Sequence, residues 1–234
     1  MTVAAQDVTR WFHSFRFPDG EQVAGIKTIE TLEREETEIF RGDMSGRSLL
    51  DIGAWDGYFS YAAERRGAAE VLATDHFCWS GPGWGNKAGF DAAHARFGSK
   101  VRAIDVDPLD LDPEIHGRYD DVLLLGVLYH VTDPYRVLEK AAAMCSDHLV
   151  VETVTALRSL DIPAMRLYTE LELNDDPTNF WALNIAAIRH LLTRFGFTRI
   201  EVLPADLENV TWRRRIGMLL GREQNRRAIV HAWR

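Results

Sequence analysis

The chain has 234 residues, 46% of them hydrophobic, and a formal charge of −8 at pH 7, so it carries apolar material for one sizeable core. The acidic balance argues against the broad electropositive surface of most nucleic-acid binders, and two cysteines far apart, Cys78 and Cys145, exclude a disulfide framework. No signal peptide is visible and no apolar run reaches the roughly 20 residues that span a bilayer, so a cytoplasmic protein is expected.

The first stretch, WFHSFRFPDGEQVAG (11–25), predicts two short extended pieces around a Pro-Asp-Gly turn. TIETLEREETEIF (28–40) follows as an amphipathic helix with Ile29, Leu32, Ile39 and Phe40 as core contacts. Residues 1–45 are read as a cover over one domain, 46–234. That domain opens with SLLDI (48–52), EVLATD (70–75), KVRAID (100–105), DDVLLLG (120–126) and HLVVET (148–153). Each is short and almost continuously apolar, as a strand covered on both faces should be.

Helical patterns lie between them: GYFSYAAERRG (57–67), AGFDAAHARFG (88–98) and PYRVLEKAAAM (134–144). Gly67 and Gly98 close the first two, and Asp133 with Pro134 opens the third. Strand and helix in this alternation predict an α/β fold with a parallel sheet. After Thr153 the rhythm breaks into a long irregular segment reaching about Asn179, a length that usually signals function. A helix, NIAAIRHLLTRFGF (184–197), and two strands, TRIEVLP (198–204) and RRAIVHAW (226–233), complete the chain.

In an open α/β sheet the ligand sits outside the carboxyl ends of the strands. The turn Gly53-Ala54-Trp55-Asp56-Gly57 falls there, where glycine permits tight turning and the next helix offers unpaired N–H groups. It fails the Gly-x-Gly-x-x-Gly template for dinucleotides. Asp51, Asp75 and Asp105 end or nearly end three successive strands; one alone reads as a loop cap, and three in order point to a ligand. A carboxylate at Asp75 suits two ribose hydroxyls.

The run from Asp51 to Gly57 resembles the first motif of class I S-adenosylmethionine-dependent methyltransferases, with Trp55 where glycine is more usual. The resemblance implies a Rossmann-like, seven-stranded, mostly parallel sheet. It also implies cofactor contacts from Asp51, Gly53, Ala54, Trp55, Gly57, Asp75, His76, Asp105, Val106 and Gly126. Asp51 would lie near the methionine part, His76 at the adenine face, Asp105 at the adenine amino group, and the Val106 N–H at the ring.

LGVLYHVTDP (125–134), VVETVT (150–155) and NDDPTNFWALN (174–184) are similar to the branch that includes the tRNA wobble-uridine 5-oxyacetic acid carboxymethyltransferases. The similarity runs from about Trp11 to the C-terminus. Tyr129 matches a tyrosine which that branch uses for a carboxylated cofactor, and an arginine near the C-terminal end is expected among Arg213, Arg214 and Arg215. The branch carries an additional N-terminal region of considerable size, whereas the cover opens this sequence. Its Arg-Lys-Gly-Pro-Phe run is one that this sequence lacks, with Lys27 in a different context, and the ordinary methyl donor is therefore expected.

For the chemistry, His130 on the rim is the first candidate for general base, against a structural histidine fixing its turn. Glu152 on the same rim could orient a sugar hydroxyl, act as base or, with acidic neighbours, hold a magnesium ion. Trp79 and Trp84 in DHFCWSGPGWGNKAGF (75–90), and Asn174, Asn179 and Trp181, would wall the acceptor site. The basic stretch from Arg213 to Arg227 would meet a phosphate, a carboxylate or RNA, or lie solvated. The expected reaction is O-methylation of a saccharide or other small polar molecule, with tRNA the alternative, no membrane partner, and a homodimer left open.

Overall fold

The computed structural model describes residues 8, 10–204 and 225–234. The cover comprises β1 (Phe15–Arg16) and β2 (Gln22–Val23), an antiparallel pair, and α1 (Ile29–Ile39). Thr28 caps α1 by accepting the Thr31 N–H, and its buried side, Leu32, Glu35 and Ile39, recurs at helical spacing. Then come β3 (Ser48–Ile52), α2 (Tyr58–Arg65), β4 (Glu70–Asp75), α3 (Ala88–Phe97) and β5 (Arg102–Asp105). A short helix α4 (Pro113–His116) precedes β6 (Tyr119–Leu125), α5 (Pro134–Met144) and β7 (Cys145–Thr155). β8 (Met165–Leu167), β9 (Trp181–Leu183), α6 (Ile185–Arg194), β10 (Arg199–Pro204) and β11 (Arg226–Trp233) follow.

The main strand order is β10-β11-β7-β6-β3-β4-β5. The strands from β3 to β7 run parallel, and β11 and β10 join antiparallel at one side. This is the class I methyltransferase arrangement, as the sequence motif implies. Because side chains alternate across a strand, the continuous apolar runs feed two cores at once. Leu49, Leu123 and Val150 join the cover, α2 and α3 on one face. Leu50, Leu124 and Val151 meet Val137, Leu138 and Ile188 of α5 and α6 on the other.

The segment expected to be irregular holds structure. β7 runs on to Thr155, and β8 pairs with β9, which in turn pairs with β7. Asn184, fully buried, caps α6 by accepting the Ala187 N–H at 2.8 Å and donates to the Ile162 carbonyl at 2.8 Å. One amide side chain thus fastens the hairpin to the helix. A third, smaller apolar cluster of Tyr129, Val154, Ala156, Tyr168, Leu173 and Ala182 fills the space beneath it. No described helix is long and apolar enough to cross a membrane.

Candidate active site

The chain leaves β3 through Gly53, whose φ of +80° suits glycine and whose N–H, with that of Ala54, donates to the Thr74 carbonyl at 2.8 and 3.0 Å. Trp55 also takes a left-handed backbone, φ +51°, which costs a bulky residue about 1–2 kcal/mol. Its contacts offset that cost. The Trp55 N–H donates to Asp75 Oδ2 at 3.0 Å, and its carbonyl accepts the Trp79 indole N–H at 2.8 Å. Its ring lies parallel to Phe12 at 3.9 Å, with Trp84 edge-on at 4.8 Å. Asp56 turns inward and accepts the N–H groups of Phe12 and His13 at 2.7 and 3.0 Å, tying the cover to the turn.

Asp51 is turned into the protein, accepting from Ser60 of α2 at 2.6 Å, and burial pushes its pKa up to about 6. Asp51, expected near the cofactor's methionine end, is 3% exposed, and its Oδ2 faces Ser60. Asp75 accepts the Cys78 N–H at 2.9 Å on Oδ1 and the Trp55 N–H on Oδ2, which leaves each oxygen a second lone pair. Asp105 pairs with Asp75 across β4 and β5 and is exposed, with His76 Nδ1 2.9 Å from its Oδ1. This contact raises the His76 pKa and lowers that of Asp105. The Val106 N–H, expected to face an adenine ring, instead donates to the Asp75 carbonyl at 3.3 Å and prolongs the strand pairing. Acceptors at Asp75 and Asp105, side by side at one rim beyond a glycine turn, form a donor-seeking set that fits adenosine.

Across the rim, Gly126 (φ +72°) follows β6, and a Cβ there would stand 3.3 Å from Tyr129 Oη. Arg227, named in the sequence only as the end of a basic stretch, takes a specific place here. Its Nη1 donates to both oxygens of Glu152 at 2.7 and 2.9 Å, and its Nη2 to Tyr129 Oη at 2.8 Å. The register explains the meeting. Glu152 pairs with Ile229 and Val154 with Arg227, so Arg227 is the diagonal neighbour of Glu152 on one face. The Glu152 charge holds Arg227 more firmly protonated, while burial pushes the Tyr129 hydroxyl up to about 12. From the cover, the ion pair of Lys27 and Glu35 faces the same group, and burial raises the Glu35 pKa.

His130 closes a 3-10 turn (Leu128–His130), half-buried, with Nδ1 3.0 Å from Thr178 Oγ1 and 3.2 Å from the Thr178 carbonyl. Burial lowers its pKa, which keeps the ring neutral at neutral pH. Asn179 is buried beside it in the chain. Its amide donates to the Leu173 carbonyl at 2.7 Å, and its Oδ1 meets no hydrogen-bond partner among the described residues. The Trp181 indole donates to the Thr132 carbonyl at 3.2 Å.

Of the expected wall residues, Trp79 is buried in the core, 5.0 Å from the Phe90 ring, and Asn174 stands at the surface in a turn with φ +60°. Glu152, offered for magnesium, is held by Arg227, and among the described residues no cluster of three or more His, Cys, Asp or Glu is arranged for a metal. Arg213, Arg214 and Arg215 lie outside the described residues.

Comparison with known proteins agrees with this architecture. A family model described as a methyltransferase domain matches residues 26–202. A tRNA U34 carboxymethyltransferase of Dichelobacter nodosus is 33% identical over 168 residues, 70% of this chain and 50% of that protein. One of Pseudomonas fluorescens is 28% identical over 176 residues, 72% of this chain and 51% of that protein. The chain thus spans about half the length of these relatives. Among solved structures, the N-terminal domain of EvdMO1 in the presence of SAH and D-fucose has a TM-score of 0.67 at 22% identity, covering 98% of this chain and 94% of that one. An S-adenosylmethionine-dependent methyltransferase of Mesorhizobium loti has a TM-score of 0.57 at 17% identity, covering 87% and 98%.

Proposed function

The chain belongs to the methyltransferase family, and from that premise we propose that it methylates a hydroxyl of a saccharide or another small polar acceptor, with His130 as general base. S-adenosylmethionine, when bound, supplies the methyl group on a positively charged sulfur. Asp75 and Asp105 would accept from its ribose and adenine, with the turn from Gly53 to Gly57 alongside. His130 would take the acceptor's hydroxyl proton, a contribution typically about 100- to 10,000-fold in rate.

One observation carries the choice of an ordinary methyl donor. Arg227, the cation beside Tyr129, already has its charge matched by both oxygens of Glu152, and Lys27 is matched by Glu35. An extra carboxylate on the cofactor that turned to Arg227 would compete with Glu152, whose side chain is buried, for the same guanidinium. Among the described residues the two ion pairs balance in charge, which suits a neutral, hydroxyl-rich acceptor, and the fold neighbour studied with D-fucose is consistent with one.

The second reading, tRNA wobble-uridine modification, is favoured by the name of the 33% identical relative and by the Arg227–Tyr129 contact. Labelled methyl donor offered with a saccharide panel and with tRNA separates the two. Label in a saccharide supports the first. Label in tRNA, with binding that weakens steeply as salt rises, overturns it. In the first case His130→Ala should abolish most turnover while leaving donor affinity within about twofold.

A further inference from the structure

We infer that Thr178 and Asp176 are positioning residues that fix His130 as its Nδ1–H tautomer, so that Nε2 presents the lone pair. The inference rests on the general-base role given to His130 above, and the argument is one of proton bookkeeping. The Thr178 carbonyl, 3.2 Å from Nδ1, can only accept, so Nδ1 must carry the hydrogen in that contact. The Thr178 hydroxyl lies 3.0 Å from the same nitrogen and 2.7 Å from Asp176 Oδ1. A carboxylate also only accepts, so the hydroxyl hydrogen points at Asp176 and its oxygen lone pairs face Nδ1. Both neighbours of Nδ1 therefore demand the same proton.

The loop is built to hold this arrangement. Asp176 Oδ1 also accepts the Thr178 N–H at 2.9 Å across Pro177, and the Phe180 N–H donates to the Tyr129 carbonyl at 2.7 Å. The loop is thereby docked on the turn that carries His130. The adjoining Tyr129 ring, 4.3 Å away and tilted by 48°, limits rotation of the imidazole.

The consequence for transfer is direct. His130 Nε2 takes the acceptor's O–H proton while the oxygen's electron pair forms the bond to the methyl carbon. The carbon–sulfur bond breaks and its electron pair stays on sulfur. The imidazolium so formed keeps Nδ1–H on Thr178, with the Asp176 charge behind it; Glu152 and Arg227 face it with opposite signs.

Long-range 15N–1H correlation of the histidine rings in the full chain reports the tautomer without any turnover. The Nδ1–H form of His130 should exceed the other by about tenfold near pH 8, the size of one or two hydrogen bonds. Thr178→Val removes the hydroxyl and keeps the Thr178 carbonyl, so it should reduce that preference severalfold, and Thr178→Ser should restore it, with S-adenosylhomocysteine binding by calorimetry as the check on folding. Asp176→Asn should move the acid limb of the pH–rate profile to lower pH, because it removes a charge that favours the imidazolium. A wild-type ring that is mainly Nε2–H, or a preference undiminished by Thr178→Val in a cofactor-binding protein, overturns the inference. Either result leaves methyl transfer itself untouched, whereas loss of the general-base role would appear as undiminished turnover in His130→Ala.

Discussion

Arg227 Nη1 lies 2.7 and 2.9 Å from the two carboxylate oxygens of Glu152, joining β11 to its neighbour β7. Glu152 is 3% exposed, and both of its carboxylate oxygens accept from this guanidinium.

Breaking the pair should be costly, and replacing it should not. Arg227→Met leaves a buried carboxylate without its cation and is expected to lose about 3–5 kcal/mol of stability, read from urea unfolding. The double variant with Glu152→Met should recover most of that loss, since apolar side chains of similar volume often substitute for a buried pair at little cost. A single variant as stable as wild type would mean that Glu152 finds another partner.

Asp105 and Asp75 should separate binding from folding. Asp105 is exposed, so Asp105→Asn is expected to weaken S-adenosylhomocysteine binding about tenfold with little change in melting temperature. Asp75 supports two backbone N–H groups, so Asp75→Asn should weaken binding and also cost about 1–3 kcal/mol of stability through an unmatched donor. Calorimetry and thermal unfolding on both variants check this. Equal effects of the two on stability would contradict the geometry.

The parts of the fold legible in the sequence are those where local pattern and packing agree. SLLDI, EVLATD and RRAIVHAW are strands residue for residue, because a continuous apolar run between turn residues has only the sheet interior to occupy. β8 left no such mark: Met165, Arg166 and Leu167 are all exposed, and their pairing depends on β9 and on Asn184. The pairing of Arg227 with Glu152 was hidden for a different reason. The two are 75 residues apart in the chain, and only the register of β11 against β7 brings them together. Trp79 misled because a tryptophan in a glycine-rich loop suggests a stacking surface, whereas its indole is spent on the Trp55 carbonyl.

Gly57 tests the turn itself. It holds φ +85°, and a Cβ there would stand 2.7 Å from the Phe90 ring. Gly57→Ala should therefore lose about 1–3 kcal/mol, from backbone strain and from the displaced ring together. Gly20 has a similar φ, +87°, and open space around it, so Gly20→Ala should lose only the backbone part, about 1 kcal/mol. The difference between their urea midpoints isolates the close approach. Equal losses would mean that Phe90 moves aside freely.

Two buried groups should give the stability curve opposing slopes. Asp51 has a folded pKa of about 6 against 3.8 for the free group, chiefly through burial. Its folded state binds the proton more tightly, so its contribution is fully present below about pH 4 and is lost as pH rises through 6, up to about 3 kcal/mol. His231 runs the other way, with its folded pKa lowered from 6.5 to about 4 by burial first and His148 next. Its unfolded state binds the proton more tightly, so its contribution is present above about pH 6.5 and is lost as pH falls toward 4, again about 3 kcal/mol. Between about pH 4 and 6 the two largely cancel. Asp51→Asn removes the first slope, so that variant should lose stability more steeply than wild type on acidification. His231→Gln removes the second and should gain stability over the same range. Urea unfolding of the three proteins at several pH values between about 4 and 7.5 reads this directly, and parallel curves would show that neither group is shifted as its burial requires.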